Sequence, residues 1–131
     1  TLERTMPTRV NGVIPEDISL DSMSGQELLS VVLGKHHIEL VFDGSRLTVE
    51  SGYEISAREG IRVTVQRESL RRGAAALADL VGLTISSADW ARGVGLQLKW
   101  SDSSTLLATI DSSGLESFSF SLPGEPGLLV V

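Results

Sequence analysis

The sequence predicts an α+β domain: a predominantly antiparallel sheet with two short helices, built as two tandem helix-plus-β-meander half-units with pseudo-twofold symmetry. Three observations predict it. The stretch Ile38 to Val49, IELVFDGSRLTV, alternates apolar and polar residues around an Asp43-Gly44 turn. A looser version, LQLKWSDSSTLLA, occupies Leu96 to Ala108. Ahead of each lies an apolar run closed by glycine, Leu28 to Gly34 and Leu77 to Gly82.

Residues 1–21 show little periodicity and carry Pro7, Asn11-Gly12 and Pro15, so they read as an extended arm before a single domain over 22–131. Ser24 with Glu27 has the spacing of a capping box, and Leu28, Leu29, Val32 and Leu33 follow at helical spacing. After Gly34 the period becomes two. Ile38, Leu40 and Phe42 form one strand, and Leu47 and Val49 continue the same face beyond a turn whose residues tolerate positive φ. Tyr53 and Ile55 suggest a third strand. Ile61, Val63 and Val65, alternating with Arg62, Thr64 and Gln66, make a clean half-buried one. Ser69 is placed to cap a second helix, with Leu70, Ala74, Leu77 and Val81 on one stripe and Gly82 at its end. Strand signals resume over Leu83 to Trp90, Leu96 to Trp100, Leu106 to Ile110, Leu115 to Phe120 and Leu128 to Val131.

Laid over each other, the two parts match in order. The helix ends closed by Gly34 and Gly82 correspond. So do Ile38-x-Leu40-x-Phe42 with Leu96-x-Leu98-x-Trp100, and the turns at Asp43 and Asp102. Leu47-x-Val49 corresponds to Leu106-x-Ala108, the Tyr53 region to Leu115–Ser119, and Ile61–Val65 to Leu128–Val131. The half-units are then 22–67 and 68–131, with Leu83 to Gly95 as an insertion in the second.

The composition is that of a globular chain, 41% apolar with a net charge of −6. A field of that sign disfavours phosphate backbones, so no nucleic-acid partner is expected, and it suits a basic protein. No apolar run reaches the roughly 20 residues of a membrane helix. With no cysteine, thiolate metal sites and disulfides are excluded, and a cytoplasmic location is expected.

Few residues offer chemistry. His36 and His37 are strand neighbours pointing to opposite faces, poorly placed to share a metal. No serine sits in a Gly-x-Ser-x-Gly elbow, and no phosphate loop, dinucleotide fingerprint or calcium loop is present. No catalytic residue, metal site or cofactor is therefore assigned. Glu54 and Glu116 occupy equivalent repeat positions, where symmetry could pair two carboxylates. Arg67, Arg71 and Arg72 form the only basic cluster, with the last two near a helix N-terminus where the dipole does not favour cations. Trp90, flanked by Asp89 and Arg92 beside a glycine turn, is an aromatic with charged neighbours on the inserted segment. These six residues are the candidate partner-binding set.

The helix-glycine pattern with IELVFDGSRLTV and LQLKWSDSSTLLA resembles small uncharacterised bacterial α+β domains, some of them immunity proteins of polymorphic toxin systems. The resemblance covers a minority of the chain. It implies a small cytoplasmic non-enzyme that acts by binding, and carries over no site residues. The leading expectation is a non-enzymatic protein-binding module, an immunity-type inhibitor of a basic toxin. A small-ligand-binding or regulatory domain comes second, and a hydrolase-type enzyme using Glu54 and Glu116 or His37 third. Open sheet edges would permit a homodimer.

Overall fold

The structure, a computed structural model, describes residues 18–57, 59–110, 117–121 and 129–131. It is a mixed α/β fold of mostly antiparallel strands in two sheets with one short helix. The strands are β1 Leu28–Leu33, β2 Ile38–Phe42, β3 Arg46–Val49, β4 Tyr53–Ser56, β5 Arg62–Val65, β6 Ile85–Ala91, β7 Gly95–Trp100, β8 Thr105–Thr109, β9 Phe118–Ser121 and β10 Leu129–Val130. The helix, α1, spans Ala74–Ala78. The first sheet has the order β1-β2-β3-β9-β10 and the second β5-β4-β8-β7-β6.

Alternation fixes the faces. Ile38, Leu40 and Phe42 of β2, Leu47 and Val49 of β3, and Phe118 and Phe120 of β9 are buried. So are Tyr53 and Ile55 of β4, Leu96, Leu98 and Trp100 of β7, and Leu106 and Ala108 of β8. All belong to one core cluster between the sheets. Phe42 and Trp100, the last residues of β2 and β7, stack with ring centroids 6.0 Å apart and 16° between planes. Trp100 acts through its ring: its buried Nε1 has no hydrogen-bond partner among the described residues.

Several local expectations fail. Leu28–Leu33 is a strand, not a helix. Gly25 has φ +87° and Ser24 Oγ donates to Ser86 O, so no capping box forms. The run also holds the β-branched pair Val31-Val32, and β2 supplies a ladder partner for it. Its residues Leu29, Val32 and Leu33 stay exposed, so the apparent helical stripe was not a core face. Gly34 is not left-handed; the His37 ring lies against it, 2.3 Å from where a Cβ would stand. The Asp43-Gly44 turn also avoids positive φ.

The second helix shrinks. Arg67–Gly73 is a 3₁₀ segment in which Ser69, at φ −142°, interrupts the helix it was expected to cap. Only Ala74–Ala78 is α-helical, and Gly82, at φ +93°, follows its closing turns. Leu83–Gly95 belongs to the second sheet and its edge. It is mostly β6, which stands at one edge of the second sheet as β1 stands at one edge of the first. These edges meet: Leu28 N–H donates to Leu83 O (2.9 Å) and Ile85 N–H to Gln26 O (2.8 Å). Among the described residues no helix is long and apolar enough to cross a membrane.

Tyr53 secures the stretch between β5 and α1. Its hydroxyl donates to Leu70 O at 2.6 Å, and a Cβ on Gly73 would stand 2.3 Å from the hydroxyl oxygen. Burial pushes this hydroxyl up to about 12 from its ordinary 10, opposed by a hydrogen bond from the Gly73 backbone. The folded protein therefore holds the proton more tightly than the unfolded chain. That contribution is complete below pH 10 and is lost as pH rises towards 12, at up to about 1.4 kcal/mol per pH unit. Tyr53 is the only tyrosine. Urea unfolding of Tyr53→Phe should show about 1 kcal/mol less stability at neutral pH and a shallower loss between pH 10 and 12 than the wild type.

Candidate functional site

Connectivity sorts the loops into two ends. Residues 50–52 carry the chain from the end of β3 to the start of β4, so the β2–β3 turn, the β4–β5 tip and the β7–β8 turn all lie at the opposite end. The edge contact between Leu28 and Leu83 places Glu27 and the residues after α1 at that same end. Each of these elements carries an acidic residue: Glu27 before β1, Asp43 in the β2–β3 turn, Glu59 at the β4–β5 tip, Asp79 after α1 and Asp102 in the β7–β8 turn. Glu27 and Asp43 are held together. Asp43 N–H donates to Glu27 O (3.2 Å), and Glu27 N–H donates to Asp43 Oδ1 (3.3 Å).

The other end gathers Lys35 of the β1–β2 turn, the arginines of the 3₁₀ segment and Arg92 of the β6–β7 turn. The separation is partial: among the described residues Arg46, Arg62 and Lys99 stand close to the acidic turns, and Glu50 and Glu68 close to the basic ones. Clustering like charges raises the local potential and favours an oppositely charged partner at each end.

The acidic end has a cleft of about 290 Å³ between the β4–β5 tip, α1 and the β7–β8 turn. Its apolar wall is Ile55, Ile61, Val63, Ala76 and Leu80, and its rim carries Glu59, Asp79 and Asp102. Ile55 and Leu80 are buried, whereas Ile61 is 64% exposed, the most exposed of the large apolar side chains described. Asp102 closes its own turn by accepting from Ser104 N–H (2.9 Å) and Ser104 Oγ. Glu59 and Asp79 form no ion pair among the described residues. No protein-family model matches the chain, and neither curated proteins nor solved structures give a match. The chemistry of the site therefore rests on its own geometry.

The six residues selected from the sequence fall into three groups. Arg71 and Arg72 line a groove of about 460 Å³ with Lys35. Arg67 lines a separate, polar cleft of about 420 Å³ with Glu54, Gln66 and Glu68. Trp90, Asp89 and Arg92 lie on or just after β6, at the opposite edge of the second sheet from β5. The Trp90 ring packs on Phe120 (5.8 Å), and its Nε1 donates to Ile18 O at 2.9 Å. It thus ties the segment before β1 to the sheet. Asp89 and Arg92 are exposed.

The enzyme candidates stay apart. Glu54 lies on the outer face of the second sheet, 3.2 Å from Arg62, and His37 belongs to the turn before β2 in the first. Glu39 is bridged to Arg46 at 3.3 Å. Glu116 lies outside the described residues. Among the described residues no three His, Cys, Asp or Glu side chains could hold a metal ion together.

The rim residues were missed because no periodicity links them. A signal was present nonetheless. The turns Asp43-Gly44, Glu59-Gly60 and Asp102-Ser103 are each acidic, and hairpins of one meander return alternate turns to the same end.

Proposed function

We propose that this protein is a non-enzymatic binding module for a basic protein, in the manner of an immunity-type inhibitor of a basic toxin. The observation that carries this reading is the acidic end: acidic residues on five separate elements, beside an apolar cleft whose described lining has no lysine or arginine. The net charge of −6 adds long-range attraction for a cationic partner. The apolar wall would supply the desolvated centre that a charged rim alone lacks. The resemblance to small bacterial immunity-type domains points the same way.

We also propose that the chain is two tandem half-units with pseudo-twofold symmetry, and the pairing pattern supports it. Each sheet takes three strands from one half and two from the other: β1, β2 and β3 with β9 and β10, then β6, β7 and β8 with β4 and β5. Contacts recur in reciprocal pairs. Gly25 N–H donates to Ile85 O (2.7 Å) and Gly82 N–H to Leu28 O (2.9 Å), both glycines having φ near +90°. Leu28 pairs with Phe42 just before a bulge, and Ile85 pairs with Trp100 just before another. On this alignment Leu28 corresponds to Ile85, and corresponding turns from both halves fall at the acidic end.

Gentle purification from the native host should retain a basic protein that dissociates as ionic strength rises. The double variant Glu59→Lys, Asp79→Lys should lose it. Both residues are exposed, so the fold should survive, and circular dichroism checks that it does. Recovery of an acidic partner, or unchanged capture by the double variant, would count against the reading. So would a thermal-shift response to a metabolite with no protein bound.

A further inference from the structure

We infer that the cleft between the β4–β5 tip, α1 and the β7–β8 turn is an anchor pocket for one aliphatic side chain on a basic, extended segment of a protein partner. The inference rests on the functional reading above and identifies the contact that reading requires. Size is the first argument. About 290 Å³ lies just below the usual range for drug-sized ligands, and it suits a single large side chain with its neighbouring backbone.

The lip is the second argument. Ile61 is left 64% exposed beside the half-buried Val63 and Ala76, so an apolar insert would continue the wall that Ile55 and Leu80 begin. Alanine at position 76 keeps the α1 side of the cleft open.

Charge complementarity selects what flanks the anchor. Glu59, Asp79 and Asp102 stand on three different elements around the mouth and do not converge into a metal-binding group. Asp79 also stands at the C-terminal end of α1, where a helix disfavours a carboxylate. A cation on either side of the inserted chain would offset that cost. Asp43 and Glu27 continue the acidic surface towards the first sheet, so several successive positive residues of an extended chain have partners. A small organic amine would leave most of that surface unused.

The test is fluorescence anisotropy with two labelled peptides, Gly-Lys-Lys-Leu-Lys-Lys-Gly and its analogue with alanine in place of leucine. The wild type should bind the leucine peptide about tenfold more tightly, the difference expected for burying most of one leucine side chain. Ile61→Ser should shrink that preference without weakening the alanine peptide. Glu59→Lys should weaken both peptides alike. Ile61 and Glu59 are both exposed, so neither change threatens folding. Equal affinity of the wild type for both peptides would overturn the anchor pocket while leaving the basic-partner reading intact. Binding of neither peptide alongside salt-sensitive capture of a basic host protein would do the same. If neither peptide binds and no basic protein is captured, the anchor and the functional reading fall together.

Discussion

Gly95→Ala should destabilise the protein by about 3 kcal/mol or more, one of the largest losses available to a single methyl group here. Gly95 opens β7 opposite Thr109 of β8. A Cβ built on it would stand 1.8 Å from Ala108 O and 2.9 Å from Ala108 C. Those atoms are backbone in the middle of the second sheet, and β8 is held on its other side by β4. No side-chain rotation relieves the collision, so either β7 or β8 must move. Movement would disturb the bond from Ile110 N–H to Val94 O (2.8 Å) and the packing of Leu96 and Ala108, both fully buried. Gly60→Ala separates this effect from backbone preference. Gly60 also has positive φ, +88°, but nothing lies within 4 Å of its added Cβ, so the expected cost is about 1 kcal/mol. Urea unfolding should place Gly95→Ala well below Gly60→Ala. Similar midpoints for the two would show that β7 and β8 can separate cheaply and that the close approach has no structural weight.

The hairpins were readable because their information is local. In Ile38–Val49 and Leu96–Ala108, alternation names the buried face and the turn residues name the reversal, and both stretches form the predicted strand pairs. The first helix was misread for want of the same locality. Leu28, Leu29, Val32 and Leu33 satisfy a helical period, but β2 lies beside them and the 82–85 segment captures the backbone of Leu28. Tertiary pairing decided the outcome over a six-residue run too short to resist it. The same run enters the internal comparison as a helix end, although it is a strand. The candidate site was half legible. Its carboxylates announce turns in the sequence, but only the sheet order brings the turns at Asp43, Glu59 and Asp102 to one end. Trp90 carries a structural role that its sequence neighbours do not announce. Charged neighbours marked it as a contact residue, and its ring and indole nitrogen are committed to Phe120 and Ile18.

Gln26→Leu should cost about 2–3 kcal/mol, although it replaces a polar residue in a nearly closed site with an apolar one of similar size. Gln26 is only 7% exposed. Its Oε1 accepts from Gly44 N–H and from Ser45 Oγ, both at 3.0 Å, and its Nε2 donates to Ser22 O at 3.2 Å. The side chain thereby clasps the β2–β3 turn from outside. That clasp accounts for a turn that keeps negative φ at both Asp43 and Gly44 where a free hairpin would favour the mirror-image conformation. Leucine would leave the Ser45 hydroxyl, itself 8% exposed, without its acceptor. Gly44 and Ser22 are exposed, and water can satisfy the Gly44 N–H and the Ser22 carbonyl, which holds the estimate near the lower end of what three lost bonds could cost. The β7–β8 turn offers a comparison, because Asp102 closes it from within through Ser104, while Ser101 N–H donates to Thr84 O (2.9 Å) from outside. Asp102→Ala should loosen that turn. Gln26→Leu should also free Asp43 from Glu27 and disperse the acidic end. Hydrogen exchange should show faster amide exchange from residue 42 through 45 in Gln26→Leu and from 101 through 104 in Asp102→Ala. Unchanged exchange in the first turn, with stability within about 0.5 kcal/mol of wild type, would show that the turn holds itself and that Gln26 merely fills space.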